Sequence, residues 1–154
     1  MDTAISIHGT VISYQGMGCV LTGAPGVGKS RLAQEAIALG ARLVADDRVQ
    51  LTVQSGLLVA AAPAPLMGIL EMRGIGIIRV GDALARQVLH LVVELDPTAD
   101  APLPEPDQVE LQGITLPRLR LAPPPRISAA GLILYLRAMQ LGGVLPTDWK
   151  PGIA

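Results

Sequence analysis

LTGAPGVGKSRLAQ, Leu21 to Gln34, decides how this chain is read. Within it Gly23-Ala24-Pro25-Gly26-Val27-Gly28-Lys29-Ser30 fits G-x-x-x-x-G-K-[ST] in full. An apolar run, CVLTG, leads into it and reads as a short buried strand. From Lys29 to Leu39 the pattern is helical, with Leu32, Ala36 and either Ile37 or Leu39 on the inner face and Gly40 placed to end it. Glycines let backbone N–H groups turn inward and approach phosphate oxygens with no Cβ in the way. The helix N-terminus adds a partial positive charge. Lys29 can reach the outer phosphates, and the Ser30 hydroxyl can ligate Mg²⁺. The eight residues Gly23 to Ser30 are therefore the expected nucleotide-binding set, with ATP first among the nucleotides. The loop does not name the acceptor.

Composition narrows the rest. The chain has 154 residues, half of them hydrophobic, which suits one domain spanning 1–154 with a substantial core. Formal net charge is −1, and aromatics are only 2%. Neither a broad basic surface nor a base-stacking platform is implied, so nucleic acid is not an expected partner. No asparagine occurs anywhere, which removes the Asn-Lys-x-Asp element of ordinary GTPases and the metal-binding asparagine of protein kinases. Cys19 is alone, so no internal disulfide or zinc cluster can form, and a reducing cytoplasm is the expected setting. The opening MDTAISIHGT lacks the features of a signal peptide. Val49 to Leu70 carries no charge, but Gly56, Pro63 and Pro65 interrupt it, so strands and a loop are expected there instead of a membrane span.

Ala4 to Tyr14 reads as one or two strands broken at Gly9. ARLVADD is a further buried strand that ends in two acids. VQLTV and LLVAA flank Gly56 as a hairpin, while GIGIIRV and RQVLHLVVEL add strands. Asp96 to Pro106 reads as a loop. After three prolines, Ser128 can cap a helix that Gly142 ends. The expected class is α/β, a mixed β-sheet with flanking helices.

Phosphoryl transfer needs a metal carboxylate and a group that takes the acceptor's proton. Of thirteen acids, Asp46 and Asp47 are the most informative, at the end of the strand after the loop helix. Two adjacent carboxylates at a buried strand end repel unless a metal or protons compensate. Glu94 and Asp96, after VLHLVV, are rival metal acids. Glu71 and Arg73 precede a glycine-rich turn. His8 and His90 lie in strand patterns, where each reads first as structural. Arg118, Arg120, Arg126 and Arg137 make the last third locally basic and read as a solvated face.

SIHG, GAPGVGKS, RLVADDRV and LEMRGIGIIRV occur in that order. Together they resemble the catalytic domain of the HPr kinase/phosphorylase family, with weaker likeness at RQVLHLVVEL and LPEP. The likeness covers about residues 5–122, in a short form without the N-terminal domain. It implies a P-loop fold similar to that of phosphoenolpyruvate carboxykinase. It also implies an ATP- and Mg²⁺-dependent serine kinase of an HPr-like phosphocarrier, working in reverse as a phosphorylase and assembled as a homo-oligomer of up to six subunits. By the same resemblance Asp46 would be the general base, with Lys29, His8 and Arg73 at the catalytic centre. Ser30, Asp47 and Glu71 would serve the metal. Pro25 stands where the family usually has serine, Arg31 where glutamate is common, and Ala101-Pro102 where an arginine is expected. Two other readings stay open. A small-molecule kinase would use Glu94 or Asp96 as metal acid. A nucleotide-binding regulator would be indifferent to Asp46→Asn.

Overall fold

The computed structural model describes residues 4–105 and 107–152. Gly9 does break the first segment into two strands, β1 (Ile5–His8) and β2 (Thr10–Tyr14), followed by β3 (Met17–Thr22). After the glycine-rich loop come α1 (Lys29–Ala38) and β4 (Arg42–Ala45). The expected hairpin around Gly56 is β5 (Arg48–Gln54) and β6 (Leu57–Ala61). A single 3₁₀ turn (Ala64–Leu66) leads to β7 (Ile69–Met72) and β8 (Gly76–Arg79), a separate two-stranded hairpin. Then follow β9 (Gln87–Leu95), β10 (Asp107–Leu111), β11 (Ile114–Leu121) and α2 (Ala129–Gln140). No helix among the described residues is long and apolar enough to cross a membrane. The uncharged stretch from Val49 is strands and a turn, as its prolines and glycine require.

Apart from the β7–β8 hairpin, the strands form one mixed, curled sheet in the order β1-β5-β6-β9-β3-β2-β4, with β11 also on β9 and β10 on β11. β9 runs parallel to β3 and to β11, and the other pairings are antiparallel. Alternation sorts the side chains to two faces. Ile12, Cys19, Leu21, Leu91, Val93 and Leu95 pack against α1 and α2. Val11, Val20, Leu89 and Val92 pack on the opposite side against β5, β6 and Leu116 of β11. Both faces of β2 are covered, so all five of its residues are buried.

The curl has a local cause. Gly18 pairs with Leu89, but its neighbour Cys19 pairs with Leu91. His90 is the extra residue of a β-bulge, and its Nδ1 accepts the Gly18 N–H at 3.0 Å. A one-residue slip exchanges the faces of a strand, which is why Leu89 joins one core and Leu91 the other. Before the bulge β9 pairs with β6; beyond it, with β11. A Cβ on Gly18 would overlap the Val88 carbonyl oxygen and approach Gln87 Cγ to 2.7 Å, so the position demands glycine.

Most expected elements are present. The inner face of α1 is Leu32, Ala33 and Ala36; Ile37 packs against the same core, while Leu39 is 52% exposed. Ser128 Oγ accepts the Gly131 N–H, as expected for an N-cap. The β10–β11 hairpin had no counterpart in the sequence reading. Val109, Leu111 and Leu116 alternate weakly around Gln112-Gly113, and Pro117 argues against a strand. It is tolerated because pairing with β9 begins only at Arg118. The Asp96–Pro106 loop holds no strand over its described part, and Pro106 lies outside the described residues.

Two outcomes test the bulge. Gly18→Ala is expected to cost about 2 kcal/mol or more by overpacking, while Gly81→Ala, with open space at its Cβ, stays within about 0.5 kcal/mol in urea titrations. Burial lowers the His90 pKa below its ordinary value, so the unfolded chain binds the extra proton as pH falls below about 6.5 and stability declines there. His90→Gln, which keeps an acceptor, should flatten that decline between pH 7 and 5.5.

Candidate functional site

β3 ends at Thr22 and turns at Gly23, whose φ of +140° is open to glycine. A Cβ there would also come within 2.7 Å of the Leu95 carbonyl oxygen at the end of β9. Gly26 and Gly28 hold positive φ as well, and Pro124 lies against Gly28. The loop therefore curls over the end of the β3–β9 pair and opens α1 at Lys29. The Lys29 ammonium folds back and donates to the carbonyl oxygens of Gly23 (2.8 Å) and Ala24 (3.1 Å). Ser30 Oγ donates to Asp46 Oδ1 at 2.8 Å. Thr10 Oγ1, fully buried at the start of β2, donates to the same oxygen at 3.1 Å. One half-buried carboxylate thus joins α1, β2 and the end of β4.

These elements bound a cleft of about 660 Å³. Residues Pro25 to Ser30 form its floor, Asp46 and Asp47 one wall, and Glu71 and Arg73 of the β7–β8 hairpin another. Arg31, Gln34 and Pro124 complete the rim. Asp47 is exposed, at a φ of +69°. His8 does not line the cleft. It is exposed at the end of β1 opposite Arg48, and reaches the acid pair only through its neighbour, since Gly9 N–H donates to the Asp47 carbonyl.

Glu94 and Asp96 also lie outside the cleft. Glu94 pairs with Arg118 (3.5 Å) and Arg120 (3.4 Å), and Asp96 lies 3.9 Å from Arg120. Hydrogen bonds from the Thr98 backbone and hydroxyl, more than the Arg120 charge, hold the Asp96 carboxyl below its usual range. Arg118 likewise lowers Asp107, chiefly by a direct hydrogen bond. Of the arginines expected to form a solvated face, Arg120, Arg126 and Arg137 are exposed, and two of these also donate locally: Arg137 to the Tyr14 hydroxyl and Arg126 to the Pro97 carbonyl. Cys19 is buried, which pushes its thiol up and makes it a small hydrophobe.

The donor set suits a magnesium–nucleotide complex. No three acidic, histidine or cysteine side chains among the described residues converge tightly enough to hold a metal alone. Mg²⁺ is commonly held by one or two carboxylates and a hydroxyl, with substrate phosphates completing the shell. Ser30 and the acids around it offer that arrangement. Sequence reasoning missed three participants. Thr10 is a hydroxyl in an apolar strand. Gln34 stands four residues after Ser30, hence on the same face of α1. Pro124 carries no sequence signal for its contact with Gly28.

A family model described as the HPr serine kinase C-terminal domain matches residues 1–116. The HPr kinase/phosphorylase of Levilactobacillus brevis is 44% identical over 92 residues, 59% of this chain and 30% of that protein. That of Listeria welshimeri is 46% identical over 99 residues, 60% of this chain and 32% of that protein. The match thus takes in about a third of the length of these curated relatives. The solved structure of the HPr(Ser) kinase/phosphatase from Coxiella burnetii superposes with a TM-score of 0.79 at 26% identity, covering 90% of this chain and 92% of that one.

Thr10→Val keeps the shape and removes one of the two hydroxyl donors to Asp46. It is expected to cost about 1.5–3 kcal/mol of stability, the scale of a hydrogen bond to a charged group, read by chemical denaturation with Thr115→Val, at an exposed strand position, as a control.

Proposed function

This chain belongs to the HPr serine kinase C-terminal domain family, and from that membership we propose that it is an ATP- and Mg²⁺-dependent serine kinase of an HPr-like phosphocarrier. The observation that carries the proposal is the Ser30–Asp46 contact at the mouth of the glycine-rich loop. It joins the expected metal hydroxyl to the expected base in one cleft, and both rival acids lie elsewhere, paired to arginines.

The residues then take these roles. Backbone N–H groups from Gly23 to Ser30 bind the phosphates, and Lys29 exchanges its carbonyl partners for the outer phosphate oxygens. Ser30 would hold Mg²⁺ together with Asp47 and Glu71, and an ion there would supply positive charge to offset that of the transferred phosphoryl group. Asp46 has Oδ1 committed to Ser30 and Thr10. Its Oδ2 receives the acceptor serine's proton as that oxygen bonds to phosphorus. Arg73 faces the transferred group from the hairpin, and His8 supports the acid pair from behind. The phosphorylase reaction is a separate one at the same site: an oxygen of inorganic phosphate bonds to the phosphoserine phosphorus, the bond from phosphorus to the serine oxygen breaks, pyrophosphate leaves, and Asp46 passes the proton of the attacking phosphate to the serine oxygen. We assign the loop, β3 and α1 to a phosphate-loop unit of the kind found in the phosphoenolpyruvate carboxykinase-like fold. One cytoplasmic domain over 1–154, assembled as a homo-oligomer of up to six, completes the reading.

Intact-mass spectrometry of an HPr-type carrier incubated with this protein, ATP and Mg²⁺ tests it. One added phosphoryl group on serine is expected. Lys29→Ala and Asp46→Asn should each lower the rate at least ~100-fold, the scale of a lost general base. Asp46→Asn should retain nucleotide binding. Loss in Asp47→Asn with Asp46→Asn normal would move the base to Asp47. An unmodified carrier despite bound ATP would overturn the acceptor.

A further inference from the structure

The β7–β8 hairpin carries Glu71 and Arg73 but pairs with no strand of the main sheet. All of β8 is exposed, Ile77 by 72%, and Leu70 is the hairpin's one buried residue. Arg79 donates to Met67 and Val80 to Gly68, contacts that stay within the same excursion of chain. Among the described residues a single side-chain hydrogen bond joins the hairpin to the body of the molecule. Gln34 Nε2 on α1 donates to the Glu71 backbone carbonyl at 3.2 Å. The acceptor is a carbonyl, so only the NH₂ end of the amide can serve. Gln34 also lines the cleft, one helical turn after Ser30.

We propose that Gln34 is a positioning residue: its amide latches the β7–β8 hairpin to the helix that begins at Lys29, and so holds Glu71 and Arg73 at the cleft. The latch acts through the Glu71 backbone and leaves that carboxylate free for other work. This proposal deepens the kinase reading where Glu71 and Arg73 are concerned, but the latch can be measured without any substrate. Hydrogen–deuterium exchange of the full chain should show amides of residues 69–79 exchanging about fivefold faster in Gln34→Ala and Gln34→Glu, the fold-change expected of one net hydrogen bond. Amides of β3 and β9 should be unchanged. Gln34→Lys, which restores a donor, should recover most of the protection; Gln34→Glu is isosteric but cannot donate. Exchange within twofold of the parent in Gln34→Ala, or equal acceleration in the Lys and Ala variants, overturns the latch. In the carrier assay, Gln34→Ala, which adds no charge to the cleft, should lower kcat about fivefold. A parent protein that labels no carrier would remove the kinase reading, and the exchange result would still decide the latch.

Discussion

The pairing of β3 with β9 is the constraint from which the rest of the structure follows. At one end the strands approach so closely that Gly18 has no room for a side chain beside Val88. One residue later His90 is looped out, and β9 changes the face it shows to each core. That slip lets one strand of nine residues pair with β6 before the bulge and with β11 after it. At the other end the same pair delivers Gly23 against the Leu95 carbonyl. The curl of the sheet and the turn of the glycine-rich loop are thus two ends of one strand pairing. A loop anchored there is held by buried backbone, which fixes its geometry without a ligand to shape it.

Charge is divided between two places, and the division selects among possible chemistries. Around the loop, Lys29 is bound to carbonyls, and Asp46 is bound to hydroxyls. None of those partners carries an opposing charge, so the ammonium and the carboxylate can both turn to a ligand. Around β9, β10 and β11, Glu94, Asp96 just beyond β9, and Asp107 face Arg118 and Arg120. These pairs are partly exposed and worth little as stabilisers. Their effect is to leave the β9 acids already matched by arginines. A metal at Glu94 would have to displace two guanidinium groups, while one at Ser30 would meet the Asp46 carboxylate, whose partners here are the Ser30 and Thr10 hydroxyls.

Much of this was legible in the sequence. The loop, α1, the Asp46–Asp47 strand end and the Gly56 hairpin each carry a local signature, so periodicity and turn residues suffice. Four segments in a recognisable order also gave the family, which the residue 1–116 match bears out. What escaped depends on tertiary contact. The β10–β11 hairpin hides behind Pro117, whose missing N–H matters only if one knows where β9 pairing begins. The pairing of Arg118 and Arg120 with acids escaped because their partners sit 24 to 26 residues earlier on β9 or across a hairpin turn. Leu39 fits the helical stripe but falls at the C-cap, where the chain has already turned outward. Thr10 and Asp46 are 36 residues apart, and nothing local announces their bond.

The cleft therefore joins parts of unequal firmness. Its floor and the Asp46 wall belong to buried strands and to a helix packed on the core. Its other wall is a hairpin with one buried side chain and little sheet support. Elements with few buried contacts open at low free energy. On the kinase reading proposed above, a site that must admit a folded protein acceptor and then exclude water would benefit from that inequality. The firm side would then hold the proposed phosphate loop and the proposed base in fixed register, as transfer chemistry requires. The soft side would be free to yield to a bulky partner. A rigid hairpin would hold Arg73 well but would bar an acceptor serine presented on a protein surface. An untethered one would admit the acceptor and leave Glu71 and Arg73 scattered. A single exposed hydrogen bond from α1 lies between those extremes.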